Sequence, residues 1–422
     1  MTDSTRSRPL VAIGYGPRCV PVMQLAEAAA GFCDLLWLVD TSVPGMREMT
    51  DLLQRFGAVV DLDGMSVEQA VKTLGDWEPA GITTFLDAGM VELACIAEGL
   101  GLPFHHPDTA AALTDKARQR RALRNAGLDM PACHLVRPYQ SGRDLAAVEA
   151  EVGWPAVLKP RSAQGSRSTF LVRDAAELEQ LLDALGPRRP SMVLEGYLPD
   201  DPARAGGPYA GYVSVESVVA EGVISHLALT GRFPPAGNFR ETGFFIPAAL
   251  DDATRSAVLD LTTRAIDALG VRTGCLHTEV KFTPDGPRII EVNGRLGGGV
   301  PEMLERAAGV SLLDLALRVA VGEPVFVDGP VATTRIGYRF FLQPPTVSAT
   351  VTAIDGITDF SDRAEVDTVS VHQAPGAALD WRDGSGNHIV AVVGSTDDEQ
   401  QLQAAYRLLH QEVTVTYTDV RH

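Results

Sequence analysis

HTEVKFTPDGPRIIEVNGR, residues 277–295, is the stretch on which the fold and chemistry of this chain depend. Two runs of β-forming residues flank residues 284–287, and Pro, Asp and Gly in such a position predict a β-hairpin. If the hairpin is centred on Asp285, Glu279 lies opposite Glu291. Directly opposed residues have Cβ atoms roughly 4.5–5.5 Å apart. Two carboxylates this close repel each other unless a cation lies between them.

The second strand of this hairpin also predicts which side chains share a face. Period-2 alternation puts Glu291, Asn293 and Arg295 on one face, whereas Ile290 and Val292 point into the core. By the same pairing, His277 on the first strand is expected opposite Asn293. An amide oxygen therefore joins the two carboxylates.

This set of oxygen atoms predicts a metal site. Carboxylate and amide oxygens are the ligands that Mg²⁺ accepts when nucleotide phosphates complete its shell. We therefore expect Glu279, Glu291 and Asn293 to bind Mg²⁺, with Mn²⁺ as an alternative. The simpler alternative is an acidic, solvent-exposed face on an ordinary hairpin, balanced by Lys281.

The composition restricts the classes of molecule to which this protein could bind. The formal net charge of −18 opposes binding to nucleic acid and to anionic membrane surfaces. No apolar stretch approaches the roughly 18 residues of a membrane span. The five scattered cysteines form no CxxC pair and are typical of buried thiols in a reducing compartment. We expect a cytoplasmic protein without nucleic-acid or membrane partners.

Lysine is scarce in this chain. Of the 36 basic residues only four are lysine, namely Lys72, Lys116, Lys159 and Lys281. The other basic residues are arginine. A lysine in a chain with this preference for arginine is a candidate for a role that needs a compact point charge. The alternative is a surface lysine without a particular role, and we expect this for Lys72.

The first hundred residues alternate strand and helix signals, which predicts a parallel sheet covered by helices. GYGPRC, residues 14–19, resembles a dinucleotide-binding turn, but Cys19 replaces the third glycine. We interpret it as a plain strand-to-helix turn, and a small ligand at this sheet edge remains the alternative.

The hairpin residues resemble the signature of the ATP-grasp superfamily, and IIEVNGRLGG, residues 289–298, looks most like its L-amino-acid ligase branch. The resemblance implies an α/β ATP-grasp fold with an N-terminal Rossmann-like domain and a C-terminal α+β lobe. The expected units are residues 1–112 (Rossmann-like), 113–192 (central lobe), 193–325 (C-terminal ATP-grasp lobe) and 326–422 (C-terminal extension).

The resemblance also implies a nucleotide site. Lys116 and Lys159 stand where the family places phosphate-binding lysines, and residues 162–168, here called the phosphate loop, match its glycine-containing lid with a single glycine. Residues 195–198 resemble the hinge that reads adenine, and Glu216 either meets ribose or faces solvent. The expected ATP-binding residues are Lys116, Lys159, Gln164, Gly165, Ser166, Glu195, Gly196, Tyr197, Leu198, Glu216 and Lys281.

For the chemistry, the resemblance assigns catalytic roles to Arg295 and Lys159. Arg295 would steady the acyl phosphate; the alternative is a structural ion pair with Glu302 or Glu305. Residues 239–247, here called the substrate segment, resemble the family's substrate-binding region, with packing of an ordinary loop as the alternative. The expected substrate residues are Arg240, Glu241, His277, Arg295 and Gly298.

The implied function is ATP-dependent ligation of a carboxylate to an amine through an acyl phosphate. The substrates would be small, amino-acid-like molecules, and a homodimer is one expectation for the assembly. Two alternatives remain open: another ATP-grasp activity, such as biotin- or carbamoyl-type bicarbonate activation, and a nucleotide-binding protein or NAD enzyme that uses the N-terminal fold.

Overall fold

The computed structural model describes residues 8–138, 144–204 and 206–421. Their strands form four sheets. Within these residues no helix has the length and apolar character needed to cross a membrane.

The N-terminal sheet confirms the predicted parallel α/β arrangement. Its strands occur in the order β3-β2-β1-β4 and all pair in parallel. Parallel strands buried on both faces consist of nearly continuous apolar residues, and Trp37 at 0% exposure illustrates this. The elements are β1 (Leu10–Gly14), α1 (Val22–Ala29), β2 (Asp34–Val39), α2 (Met46–Leu53), β3 (Ala58–Asp61), α3 (Val67–Gly75), β4 (Gly81–Thr84) and α4 (Met90–Leu100).

Two helices lead into the central lobe. They are α5 (Pro107–Leu113) and α6 (Lys116–Asn125). Asp115 caps the second helix, because its carboxylate accepts from the N–H groups of Ala117 and Arg118. This cap fixes Lys116 at the first position of α6.

The central lobe is an antiparallel sheet with strand order β5-β8-β6-β7. Two helices pack against it around Leu158, Leu178 and Leu182. Its elements are β5 (Cys133–Val136), α7 (Leu145–Val152), β6 (Ala156–Pro160), β7 (Phe170–Val172), α8 (Ala175–Leu185) and β8 (Met192–Gly196).

An eight-stranded sheet joins the C-terminal lobe to the extension, in the order β13-β12-β9-β10-β11-β14-β18-β16. Within this sheet the two units meet where β11 pairs antiparallel with β14. The lobe contains β9 (Tyr212–Ala220), β10 (Val223–Arg232), β11 (Gly243–Ile246), α9 (Asp252–Ala268), β12 (Gly274–Thr283), β13 (Gly286–Asn293), α10 (Val300–Ala308) and α11 (Leu312–Ala320).

The extension adds a small second sheet of order β17-β15-β19. Its aromatic core includes Phe340 and Tyr406, whose rings meet edge to face. The elements are β14 (Ile336–Leu342), β15 (Ser348–Asp355), α12 (Ile357–Ser361), β16 (Val366–Val371), β17 (Ala378–Leu379), β18 (Val390–Thr396), α13 (Glu399–Glu412) and β19 (Thr414–Arg421).

The hairpin register at the predicted metal site is confirmed, since Glu279 pairs with Glu291. The route to that register differs from the prediction. Thr283 pairs with Gly286, so the turn is one residue shorter than expected, and a β-bulge at Ile290 restores the register.

The bulge makes one prediction wrong. Ile290 does not point into the core but lines a cleft, while Ile289 takes the buried position at 1% exposure. Strict alternation fails here because a bulge places two residues opposite one.

Candidate active site

A cavity of about 590 Å³ lies between the central lobe and the C-terminal lobe. Residues from every predicted nucleotide motif line it, as do both carboxylates of the hairpin. The predicted residues in its lining are Lys116, Lys159, Gln164, Gly165, Ser166, Glu195, Gly196, Tyr197, Leu198, Glu241, Lys281, Glu279, Glu291, Asn293 and Arg295.

Lys116 contacts the hairpin directly. Its Nζ lies 2.9 Å from Glu291 Oε1 and donates to the carbonyl of Ala163 at 2.7 Å. The backbone N–H of Lys116 bonds to the carbonyl of Arg161, which follows β6. The start of α6, the phosphate loop and the hairpin therefore meet at this one lysine.

Helix α6 also supports the edge of the large sheet. β13 is the edge strand, and Gln119 satisfies both free backbone groups of Val292: its Nε2 donates to the carbonyl at 2.7 Å and its Oε1 accepts from the N–H at 2.9 Å. Arg120 donates to the carbonyl of the bulged Ile290. Sequence reasoning missed both residues.

A second lysine takes part in a buried charge cluster. Lys159 Nζ lies 2.8 Å from Glu195 Oε2, and Arg120 Nε lies 3.0 Å from Glu195 Oε1. Burial raises the pKa of Glu195, but the two cations outweigh it and hold the pKa at about 2. Glu195, predicted in the adenine hinge, therefore uses its side chain to hold Arg120 and Lys159. We call these three residues the Glu195 cluster.

The hinge and the phosphate loop both line the cavity. Tyr197 donates from its backbone to the carbonyl of Pro155 at 3.0 Å and from its hydroxyl to Asp200 at 2.8 Å. Asp200 also pairs with Lys281. Among these residues the sequence reasoning missed Asp200.

The opposed carboxylates are held in position by different cations. Lys116 pairs with Glu291, whereas His277 Nε2 lies 3.5 Å from Glu279 Oε1. Burial raises the pKa of Glu279, but the hydrogen bond and charge of His277 lower it to about 2. Glu279 is therefore ionised throughout the neutral range.

The donor set fits a hard divalent cation. Asn293 Nδ2 donates to the carbonyl of His277 at 3.2 Å, which leaves its amide oxygen free to coordinate. In the described part of the chain no group of three His, Cys, Asp or Glu has metal-ligand geometry. The protein thus offers Glu279, Glu291 and one amide oxygen, and a bound ion needs further oxygen ligands.

His277 sits between two carboxylates. Its Nδ1 lies 2.9 Å from Glu216 Oε2, and its Nε2 faces Glu279. Burial lowers the pKa of His277, but Glu216 outweighs burial and raises it to about 9. We call His277, Glu216 and Glu279 the His277 cluster.

The structure places Glu216 and His277 differently from the predictions. Glu216 neither meets ribose nor faces solvent, because its side chain is 1% exposed and accepts from Ser214 and Thr230 as well as contacting His277. His277 lies behind Glu279 and outside the lining of the cavity.

Arg295 makes an ion pair that the sequence did not identify. Its Nη2 lies 3.3 Å from Asp87 Oδ2, in the N-terminal domain, rather than beside Glu302 or Glu305. Glu302 instead pairs with Arg339 at 2.9 Å. The Arg295 ion pair therefore connects the cavity lining to the N-terminal domain.

Glu241 lines the cavity next to a buried arginine. Arg232 Nε lies 3.3 Å from Glu241 Oε1. Burial raises the pKa of Glu241; Arg232 opposes this shift and the charge of Glu279 adds to it, so that the pKa stays above its ordinary value. Arg232, on β10, carries no motif in the sequence and was missed.

Two predicted substrate residues lie elsewhere. Arg240 is 1% exposed and donates to the carbonyls of Gly237 and Pro344 at 2.9 and 2.5 Å, so it fixes a loop instead of reaching a carboxylate in the cavity. Gly298 is exposed before α10 and is not in the cavity lining.

In sequence, the chain is similar to known bacterial proteins over part of its length. No protein-family model matches the chain. It is 29% identical to an uncharacterized protein of Sinorhizobium fredii over 75% of this chain and 64% of that protein. It is 26% identical to an alanine–anticapsin ligase of Bacillus subtilis over 60% of this chain and 56% of the ligase. The matched region therefore spans about three fifths of the length of these relatives.

The fold is shared with solved ligases. The structure superposes on an L-amino acid ligase from Bacillus licheniformis with a TM-score of 0.78 and 23% identity, covering 98% of this chain and 100% of that one. This likeness confirms the predicted ATP-grasp fold.

Proposed function

We propose that this chain belongs to the L-amino-acid ligase branch of the ATP-grasp superfamily and is an enzyme that joins a carboxylate to an amine at the expense of ATP. The substrates are amino-acid-like, and the products are an amide, ADP and phosphate. The observation that carries the proposal is the opposition of Glu279 and Glu291 in a cavity that also contains Lys116 and Lys159.

The charges in the cavity suit nucleotide phosphates. Lys116 and Lys159 supply donors near the phosphate loop, and each is already positioned by a carboxylate at 2.9 or 2.8 Å. Glu279, Glu291 and Asn293 would hold Mg²⁺, which neutralises phosphate charge when bound. Residues 196–198, which also line the cavity, would contact adenine.

The reaction has two steps. A substrate carboxylate oxygen attacks the γ-phosphorus of ATP, and ADP leaves. The amine then attacks the carbonyl carbon of the acyl phosphate, a C–N bond forms, and phosphate leaves as the nitrogen loses a proton. Arg295, oriented by Asp87, would stabilise the developing negative charge on the carbonyl oxygen.

Glu241 is placed to receive the amine. Burial is the main cause of its raised pKa; Arg232 only partly offsets burial, and the charge of Glu279 adds to the shift. An incoming ammonium group would supply the missing positive charge, and Glu241 could accept its proton. Catalysis would then depend on positioning and electrostatics, without a covalent enzyme intermediate.

The test is an ADP-release screen of amino-acid pairs with the full chain, followed by mass spectrometry. We expect ADP release that needs both members of a pair, with a product whose mass equals their sum less one water. Glu291→Gln should abolish the signal, and Glu179→Gln, on the exposed face of α8, should retain it. ADP release that needs bicarbonate, or no release with any pair, would contradict the proposal. The domain boundaries and the homodimer stay predictions.

A further inference from the structure

A short segment of the C-terminal extension contacts two loops that border the cavity. We call residues 381–388 the clasp. It consists of two 3₁₀ turns, Trp381–Asp383 and Ser385–Asn387, joined by Gly384. It lies about 220 residues after the phosphate loop in the chain, so only the folded protein brings the two together.

The clasp bonds to the phosphate loop backbone in both directions. Ser385 N–H donates to the carbonyl of Gly165 at 2.8 Å, and Ser168 N–H donates to the carbonyl of Arg382 at 2.8 Å. The ring of Trp381 meets Phe170, the first residue of β7, edge to face at 5.7 Å.

There is no free space at this contact. Gly384 has φ of +81°, and a Cβ placed on it would lie 2.2 Å from the carbonyl oxygen of Gly165 and 2.7 Å from the N atom of Arg167. Ordinary contact begins near 3.4 Å. Because both obstructing atoms belong to backbone, a side chain here would displace the phosphate loop by about 1 Å.

The same clasp holds the substrate segment. Ser385 Oγ accepts from the N–H of Glu241 at 3.0 Å. Gln343 Nε2 donates to the carbonyl of Glu241 at 2.6 Å and to that of Ser385 at 3.2 Å. Ser385 is itself buried, at 8% exposure. Its backbone therefore holds the phosphate loop while its hydroxyl holds Glu241.

Backbone strain is concentrated where the two loops meet. Ser166, Ser168, Asn238 and Phe239 have φ of +56°, +47°, +59° and +60°, although none is glycine. Ser166 Oγ also donates to the carbonyl of Phe239 at 2.9 Å. Such conformations persist where surrounding contacts over-determine them, and they cluster at functional sites.

We propose that the clasp is a positioning element, in which Ser385 fixes Glu241 relative to the phosphate loop, so that nucleotide and amine are aligned only when the extension is docked. This inference rests on the proposed function. It assigns the extension a part in catalysis although none of its residues needs to touch a substrate.

The first test compares two glycine variants of the full chain. Gly384→Ala introduces the collision with the phosphate loop. Gly376→Ala is the matched control, because Gly376 lies in the same extension with φ of +94° and has nothing within 4 Å of a Cβ. Both variants carry left-handed strain, and only the first displaces the loop.

We expect Gly384→Ala to weaken the binding of Mg-ADP, measured by calorimetry, and to lower kcat/KM about 100-fold, the cost of a 1 Å misplacement. Gly376→Ala should bind Mg-ADP as the wild type does. Equal Mg-ADP affinity in the two variants would overturn the proposal. Calorimetry needs no turnover, so this result is independent of whether the ligase activity is found.

A second variant covers the case in which Gly384→Ala fails to fold. Ser385→Ala removes the acceptor of the Glu241 N–H but keeps the backbone bond to Gly165. We expect the KM for the amine to rise roughly tenfold with unchanged Mg-ADP affinity, and Ser385→Thr to restore it. If Ser385→Ala leaves the KM for the amine unchanged, Ser385 does not position Glu241.

Discussion

The two buried charge clusters of the cavity have inverse compositions. The Glu195 cluster places one carboxylate between two cations, Arg120 and Lys159, for a net charge of +1. The His277 cluster places one imidazolium between two carboxylates, Glu216 and Glu279, for a net charge of −1.

The difference indicates which ligand charge each region accepts. A cluster with surplus positive charge favours phosphate, and one with surplus negative charge favours a metal cation or an ammonium group. Both clusters contain a group whose pKa is shifted away from neutrality, about 2 for Glu195 and about 9 for His277. Each region therefore keeps its charge across the neutral range.

The largest expected loss of activity comes from a change in the His277 cluster. Glu279→Gln removes its surplus charge and one proposed metal ligand, and we expect kcat/KM to fall about 1,000-fold. Asp285→Asn, at the exposed turn of the same hairpin, is the control and should keep wild-type activity. If both variants were equally active, Glu279 would have no role in the chemistry.

The next largest effect is a loss of folding stability when the Glu195 cluster is changed. Glu195→Gln leaves the buried cations Arg120 and Lys159 without a carboxylate, and we expect the free energy of unfolding to drop by about 3–5 kcal/mol. Denaturant unfolding would measure it against Glu179→Gln, an exposed site in the same lobe. A loss no larger than in the control would show that the cluster is not needed for folding.

A change at Glu241 should affect turnover more than folding. Glu241→Gln keeps the size of the side chain but removes the carboxylate that would receive the amine, so we expect kcat/KM to fall about 100-fold. The midpoint of unfolding should stay near that of the wild type. The opposite pattern, an unstable protein with normal kcat/KM, would make Glu241 structural.

The last prediction is a pH dependence of stability that has opposite signs for Glu195 and for His277. The pKa of Glu195 lies below its ordinary 4.5, so its stabilisation is full above pH 4.5 and is lost as the pH falls towards 2. The pKa of His277 lies above its ordinary 6.5, so its stabilisation is full below pH 6.5 and is lost as the pH rises through 9.

Thermal unfolding from pH 3 to 10 would separate these contributions, on the order of 1 kcal/mol per unit of pKa shift. His277→Asn should remove the alkaline decline that His277 causes, and Glu195→Gln should reduce the acid decline and leave the alkaline one. Part of the acid decline remains in Glu195→Gln, because the pKa of Glu279 is also held at about 2. Unchanged alkaline behaviour in His277→Asn would mean that His277 is neutral in the folded protein.

The sequence predicted the parts of the site that local rules control. Turn chemistry and strand pairing placed Glu279 opposite Glu291, and the scarcity of lysine directed attention to Lys116 and Lys159. The parallel pairing of the N-terminal strands followed from the alternation of strand and helix signals.

Residues brought together from distant elements were not predictable in this way. Arg232, Asp87 and Ser385 carry no motif, and their partners lie 9, 208 and 144 positions away. For Arg240 the sequence left packing of an ordinary loop as the alternative, and for Glu216 it left ribose or solvent. It did not show that neighbouring strands and loops would bury both side chains. The bulge at Ile290 was missed for the same reason, since its carbonyl is bound by Arg120 from another helix.

The central claim is that Glu279 and Glu291 hold a divalent cation against nucleotide phosphate. Its most direct test is anomalous scattering from a crystal of the full chain grown with Mn²⁺ and ADP. We predict one strong peak between the two carboxylates and within bonding distance of a phosphate oxygen. A bound nucleotide whose Mn²⁺ lies away from both carboxylates would contradict the account.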